Sequence, residues 1–128
     1  MEEFFTRSNA NEGVGLPLYL PNGELSKHKI TVLGVDSDKF RAVESQAKRK
    51  AITIAQLETE EERAEAIQLT ERECIAALIA DWTFDKPRTH ENIMRFLKEA
   101  PQIADAINRF AAQREGFMAK KPPSSSDG

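Results

Sequence analysis

The residue types that most often carry catalysis or bind metals are few in this chain and lie far apart in the sequence. The two histidines are His28 and His90, and the single cysteine is Cys74. Zinc sites normally need three or four ligands close in space, and neither histidine has another His or Cys at ligand spacing. Cys74 lies on an apolar stripe with no catalytic motif beside it, which favours an inert buried thiol over a nucleophile. We therefore expect no metal site and no cofactor.

Carboxylates are abundant, but their positions suit helix structure better than acid–base chemistry. Glutamates occupy positions 58, 60, 61, 62 and 65, where we expect a helix to begin and where negative charge favours the helix dipole. The chain also lacks a Gly-x-Ser-x-Gly motif, a glycine-rich phosphate loop and a His-Glu-x-x-His motif. These observations predict a protein that is not an enzyme.

Charge is distributed unevenly along the chain. Residues 39–50 carry five basic side chains and one acid, whereas residues 58–73 carry seven acids and two arginines. The two blocks could attract each other within one chain or between copies stacked head to tail. Each exposed pair would contribute only ~0.2–1 kcal/mol, so the pairs would set orientation more than affinity. We expect self-association into a homo-oligomer through Lys48, Arg49, Lys50, Glu60, Glu61 and Glu62.

Composition excludes several classes of protein. The 128 residues, 40% hydrophobic and 30% charged, suffice for one globular domain with a core. A net charge of −3 argues against a general attraction to nucleic acid, and one cysteine excludes an internal disulfide and suits a reducing cytoplasm. The longest apolar run, residues 74–80, is far short of the ~20 residues that span a membrane. The acidic N-terminus does not look like a secretory signal. We expect neither nucleic acid nor membrane as a partner.

The hydrophobic pattern predicts a mainly α fold of about four helices with a short N-terminal β-hairpin. We expect residues 1–15 to form a flexible arm, residues 16–118 a single helical domain and residues 119–128 a disordered tail. Asn22-Gly23 between two apolar segments predicts the hairpin turn, with a looser loop possible over residues 26–28. Two strands alone bury too little to be stable, so the hairpin must pack on another element or pair with another copy.

Two consecutive helices are predicted after the hairpin. The first is capped by Asp36 or Ser37 and runs to about Leu57. Thr59 begins a capping-box pattern, and the apolar spacing that follows extends the second helix over roughly 23 residues to Trp82.

Two shorter helices are predicted to follow a proline break. Pro87 cannot continue the second helix, Thr89 opens a third, and Pro101 fits the first position of a fourth. In this interpretation Trp82 and Phe84 anchor the second helix to the segment after Pro87, or else they form part of a partner-binding surface.

A DNA-binding regulator of the helix-turn-helix type is the alternative to an interaction protein. Residues 93–110 could form the two helices, and residues 48–50 could contact the phosphate backbone. Recognition helices present basic and amide side chains to the groove. The polar residues available here form a balanced, partly acidic set, which weakens this alternative: Gln102, Asp105, Asn108 and Arg109.

Three segments, in this order, resemble the tail assembly chaperones of bacteriophages with long, non-contractile tails (siphoviruses), most closely that of phage HK97. They are residues 33–41 (LGVDSDKFR), 79–85 (IADWTFD) and 91–105 (ENIMRFLKEAPQIAD). The likeness covers most of residues 16–118. None of the segments is a catalytic signature, so the specificity of the resemblance comes from their combination.

The resemblance implies a chaperone that binds the tape measure protein and tail tube subunits in the host cytoplasm and is absent from the finished virion. It also implies that some ribosomes slip back one nucleotide near Lys120-Lys121 and make a longer product whose extra domain recruits tail tube subunits. The tape measure protein would be long and largely helical, so apolar grooves are the expected contact mode. The residues we expect to bind the partner are Trp82, Phe84, Asp85, Phe96, Phe110 and Phe117.

Overall fold

The computed structural model describes residues 1–118; the predicted disordered tail, residues 119–128, lies outside this range. The described chain is rich in helix and contains a small antiparallel sheet, which confirms the mainly α fold with a hairpin in outline. The elements are α1 (Arg7–Glu12), β1 (Val14–Tyr19), β2 (Leu25–Val32), α2 (Asp38–Ala55), α3 (Glu60–Ala76), β3 (Ile79–Trp82), α4 (His90–Glu99) and α5 (Pro101–Ala112), with 3₁₀ turns at Glu2–Phe4 and Arg114–Phe117.

The predicted hairpin is formed by β1 and β2, which pair antiparallel with Leu16 opposite Ile30. Its turn is at Asn22-Gly23, where Gly23 has a φ of +91°. The Asn22 Oδ1 atom accepts a hydrogen bond of 2.9 Å from the Glu24 N–H. Strand β2 begins at residue 25, so the looser loop expected over residues 26–28 is wrong.

The largest correction concerns the second predicted helix, which ends at Ala76 instead of Trp82. The chain then enters β3, which pairs antiparallel with β2 and places Trp82 opposite Ile30. The sheet order is β1-β2-β3. A short apolar run suits a helix or a buried strand equally well. Here the backbone groups along the free edge of β2 need partners, and the strand conformation supplies them.

Regular structure begins before Leu16, within the segment for which the sequence predicts a flexible arm. Helix α1 buries Ala10, and the Ala10 carbonyl accepts a hydrogen bond of 3.1 Å from the Gly34 N–H. A Cβ atom at position 34 would lie 2.8 Å from the Ala10 Cβ. Glycine therefore permits the close approach of α1 to the loop before α2. The amino-acid composition of residues 1–15 does not predict this packing, because the contact depends on a residue about 20 positions away.

Asp36 links both ends of the described chain to the loop before α2. Its carboxylate accepts hydrogen bonds from Arg114 Nε at 2.8 Å, Thr6 Oγ1 at 2.7 Å and Arg41 Nη2 at 3.0 Å. The hydrogen bond from Arg114, followed by those from Thr6 and Arg41, lowers the pKa of Asp36 to about 2. The folded chain therefore favours the ionised form of Asp36.

Helices α2 and α3 lie antiparallel and form what we name the helical hairpin, residues 38–76. Both predicted N-caps are present: Ser37, rather than Asp36, accepts from the Phe40 N–H, and Thr59 accepts from the Glu62 N–H. Helix α5 contacts β1 and β2, and the helices α3, α4 and α5 all contact one another. Most of the buried apolar side chains form one core, which comprises Leu18, Ile30, Val32, Leu33, Phe40, Ala76, Leu78, Ile79, Ile93, Leu97, Ile103, Ala104, Ile107 and Ala111.

Candidate partner-binding surface

Three of the aromatic side chains predicted to bind a partner meet at one place. Trp82 ends β3, Phe84 follows it, and Phe96 comes from α4. The ring centroids of Trp82 and Phe84 are 5.2 Å apart, and those of Phe84 and Phe96 are 5.0 Å apart. The three rings line a cleft of about 410 Å³, which we name the aromatic cleft. Its other lining residues are Lys86, Asn92, Arg95 and Glu99.

Hydrogen bonds hold the loop between β3 and α4 that carries Phe84. The Trp82 indole N–H donates to the Lys86 carbonyl at 2.8 Å, and the Asn92 side-chain amide donates to the Pro87 carbonyl at 2.9 Å. Trp82 itself is half-buried, so it anchors this loop and also lines the cleft. The rings are thus positioned before any partner arrives, which lowers the ordering cost of binding.

His28 is a member of the aromatic cluster that sequence reasoning missed. Its ring centroid lies 4.8 Å from that of Phe84, and its Nδ1 atom lies 3.1 Å from the Thr83 hydroxyl. The contact exists because β2 pairs with β3. A sequence interpretation that continued the second helix to Trp82 placed these residues on unrelated elements, so no signal pointed to His28.

The other predicted partner-binding residues lie outside the aromatic cleft. Asp85 is exposed on the adjoining loop but is not among the cleft's lining residues. Phe110 and Phe117 pack together with centroids 5.8 Å apart. Phe117 is only 1% exposed, so it is a buried packing residue and offers no surface to a partner. Phe110 lines a second groove of about 420 Å³ between β1 and α5.

The residues predicted to mediate self-association lie at two separate places on the helical hairpin. Glu60, Glu61 and Glu62 occupy the first turn of α3. Lys50 lies near the other end of α3, where its Nζ atom is 3.7 Å from Glu73 Oε1. At 1.5 Å per residue, Glu60 and Glu73 are roughly 20 Å apart along the helix. Attraction within the chain therefore joins Lys50 to Glu73 and does not reach the acids at the start of α3.

Cys74 and the histidines do not assemble into a reactive centre in the described part of the chain. Cys74 is half-buried on α3; burial, and then the charges of Glu44 and Glu73, raises the pKa of its thiol. A protonated thiol is a poor nucleophile. Residues 1–118 contain no cluster of three or more His, Cys, Asp or Glu side chains able to hold a metal ion.

Comparison with known proteins identifies the family. The profile described as phage tail assembly chaperone matches residues 14–116, from the first strand into the last 3₁₀ turn. The chain belongs to the phage tail assembly chaperone family. No curated protein and no solved structure matches the chain. Within residues 1–118, no helix of this tail assembly chaperone has the length and apolar character needed to cross a membrane.

The matched range contains the aromatic cleft and the two helices considered for DNA binding. Helices α4 and α5 of the chaperone are separated only by Ala100, whereas a helix-turn-helix has a turn of about 3–4 residues. One side of α5 is buried through Ile103 and Ile107. The helix pair of this tail assembly chaperone therefore serves packing and lacks the turn that would present a recognition helix.

Proposed function

We propose that this tail assembly chaperone binds the tape measure protein of a phage with a long, non-contractile tail, and that the aromatic cleft is the contact site. The protein acts without catalysis, in the host cytoplasm, and is absent from the finished virion. We also propose that it is one of the siphovirus chaperones, which its sequence resembles.

The observation that carries the proposal is the preformed apolar cleft between β3 and α4. Large aromatic side chains are enriched at the energetic centres of protein interfaces. Lys86, Arg95 and Glu99 supply charged groups around the rings of the cleft, in keeping with the polar rim of a typical interface. A helix from a long partner could insert apolar side chains spaced three and four residues apart into such a groove.

Substitution of the cleft phenylalanines tests this contact. In the full chain, Phe96→Ala is expected to weaken binding of a tape measure fragment by about 10- to 100-fold, because a hot-spot aromatic side chain commonly contributes ~2 kcal/mol or more. Phe84→Ala is expected to act in the same direction. Isothermal titration calorimetry with purified tape measure fragments measures the affinity, and thermal unfolding of each variant shows whether it remains folded at the assay temperature.

Phe110→Ala is the matched control for Phe96→Ala. Both phenylalanines are half-buried and lie on successive helices, but Phe110 lines the separate groove beside β1. We expect Phe110→Ala to bind the tape measure fragment as the unaltered chain does. Equal losses of affinity in the two variants would contradict the aromatic cleft as the site, and an unaltered chain that binds no tape measure fragment would contradict the proposed partner.

We further propose that a frameshifted longer product recruits tail tube subunits. The slip site, Lys120-Lys121, lies outside the described residues. The last described turn, Arg114–Phe117, is held on the rest of the folded chain by the Arg114–Asp36 ion pair and the buried Phe117 ring. An added domain would therefore be joined to a folded chaperone and would raise the local concentration of tube subunits near the tape measure protein. Codons at these lysines that form no slippery run, or a single short product on an immunoblot of infected cells, would refute this proposal.

Self-association is the remaining element of the proposed function. Copies that coat a long tape measure protein would benefit from contacts with one another. Charge separation along the helical hairpin supports such contacts, because Lys39 at its base and Glu60 at its far end are both exposed in the monomer. Light scattering over a range of concentrations, with and without the tape measure fragment, tests whether a homo-oligomer forms.

A further inference from the structure

Another cleft, separate from the aromatic cleft and from the groove beside β1, lies at the base of the helical hairpin, between α2, α3 and the start of α4. It has a volume of about 250 Å³, and Val43, Ala47 and Ile93 contribute apolar side chains to its wall. Two lysines, one arginine and one histidine also line it, while Glu73 is the one carboxylate among its lining residues. We name it the basic cleft. The side chains that give it this character are Lys39, Lys50, Arg88 and His90.

The basic cleft retains positive charge after its internal contacts are counted. Lys50 lies 3.7 Å from Glu73, which balances one charge. Arg88 donates a hydrogen bond of 3.4 Å to the Ile79 carbonyl, a neutral acceptor. Within residues 1–118, neither Lys39 nor Arg88 forms an ion pair. Three basic side chains, Lys39, Lys50 and Arg88, against one carboxylate leave a net positive charge on the lining of the cleft, and such a lining attracts a negatively charged group.

The far end of the helical hairpin carries the complementary charge. Glu58, Glu60 and Glu61 are exposed where α2 turns into α3. None of these three glutamates forms an ion pair with any residue in the described range. We name them the acidic tip. Because the tip lies roughly 20 Å along α3 from Glu73, it cannot reach the basic cleft of its own chain.

We propose that the acidic tip of one copy docks in the basic cleft of a second copy. The proposal rests on the self-association element of the proposed function and is independent of the aromatic cleft. Tip and cleft are different surfaces, so the contact is heterologous. The charge complementarity also revises the expected interface: Lys48 and Arg49 belong to the basic block in sequence but do not line the cleft, whereas Lys39 and Arg88 do.

Charge reversal on either side of the contact tests the proposal. One double variant carries Lys39→Glu and Arg88→Glu in the cleft; the other carries Glu60→Lys and Glu61→Lys at the tip and leaves the capping residue Glu62 unchanged. Each alone is expected to need at least ~10-fold higher concentration to associate at low ionic strength, because like charges then face each other. Sedimentation velocity of the full chain gives this concentration dependence.

An equimolar mixture of the two double variants provides the decisive measurement. The reversed tip of one matches the reversed cleft of the other, and the unaltered surfaces also match, so association is expected to return. Its return would show that both variants are folded. The Lys48→Glu and Arg49→Glu double variant is the matched control, because it reverses two charges on α2 outside the cleft; we expect it to associate normally.

Three results would overturn the proposal. They are an unaltered chain that stays monomeric at all concentrations with and without tape measure protein, a mixture that fails to restore association, and a control variant that loses association as severely as the cleft variant. Phe96→Ala, measured in parallel, is expected to self-associate normally. Loss of tape measure binding in that variant with association retained separates the basic cleft from the aromatic cleft.

Discussion

The helical hairpin and the body, formed by the sheet with α4 and α5, hold their helices in different ways. Helices α2 and α3 bury one residue each, Phe40 and Ala76, both at the base of the hairpin. The shorter α5 buries four residues by itself. Farther out on the hairpin, Ile52 is 70% exposed and Ile67 is 47% exposed. The hairpin therefore depends on its caps and on contact between its two helices, whereas the body depends on a shared core.

This difference predicts that the two regions differ in local stability. A segment with few buried contacts opens locally at low free energy, and segments used for binding are often drawn from that end of the range. The distal half of the helical hairpin also carries a shallow apolar groove lined by Ala51, Ile54 and Ile67. The body fixes the aromatic cleft in one geometry, while the hairpin extends charged and apolar surface away from it.

Removal of an isoleucine from each region should show the largest contrast. Ile107→Ala empties a fully buried site in α5 and is expected to lower the free energy of unfolding by about 2–5 kcal/mol. Ile67→Ala removes the same atoms from a half-exposed site and should cost less than about 1 kcal/mol. Urea denaturation of both variants measures the two costs. Equal costs would mean that the hairpin is packed as tightly as the body.

The contact between α1 and Gly34, in the loop before α2, should give the next largest effect. An alanine at position 34 would place its Cβ 2.8 Å from Ala10 Cβ and 3.1 Å from a Phe117 ring carbon, and overpacking of this kind costs about 1–3 kcal/mol. Gly116→Ala is the control, because nothing lies within 4 Å of the added Cβ. Gly34→Ala should also speed hydrogen exchange in α1. If both variants unfold alike, the contact of α1 with position 34 does not contribute to stability.

Sequence reasoning succeeded where the determinant of structure is local. Ser37, Thr59 and Pro101 each mark a helix start through hydrogen bonding or backbone geometry within one turn, and the structure confirms all three. Asn22-Gly23 fixed the hairpin turn in the same way. These signals do not depend on what the rest of the chain does.

The failures all involve partners distant in sequence. The residues after Ala76 form β3 because they pair with the free edge of β2. Helix α1 packs on the chain because Gly34 leaves room for Ala10. In both cases the partner lies far away in the sequence, so the segment alone does not predict it. The same limit applies to the candidate sites. Trp82 and Phe96 were named from the sequence, but their meeting with His28 follows from the third strand, and the basic cleft combines residues from three helices or their flanks.

Acid should destabilise the fold by weakening the hydrogen bonds that Asp36 accepts from Thr6, Arg41 and Arg114. Its pKa in the folded chain is about 2, against an ordinary value of 3.8, so its stabilising contribution is complete above the ordinary value and is lost as the pH falls from about 4 towards 2. We expect about 1–2 kcal/mol, since one pKa unit corresponds to ~1.4 kcal/mol and the half-exposed arginine partners are screened by solvent. Asp36→Asn should reduce the slope of stability against pH in that window; an unchanged slope would assign the acid sensitivity to other carboxylates.

The smallest effect should come from removal of the N-cap of α3, at the exposed end of the hairpin. This substitution tests whether the hairpin and the body unfold together. Thr59→Ala removes the hydroxyl that accepts the Glu62 N–H at 3.0 Å, and loss of an N-cap in an exposed helix costs about 0.5–1 kcal/mol. If the hairpin opens independently of the body, the loss should appear as roughly 2- to 5-fold faster hydrogen exchange in the first turns of α3, with α4 and α5 unchanged. Thr59→Ser keeps the hydroxyl and should behave as the unaltered chain does. A uniform increase across all helices would instead show one cooperative unit, in which the sparse burial of the hairpin has no consequence for its motion.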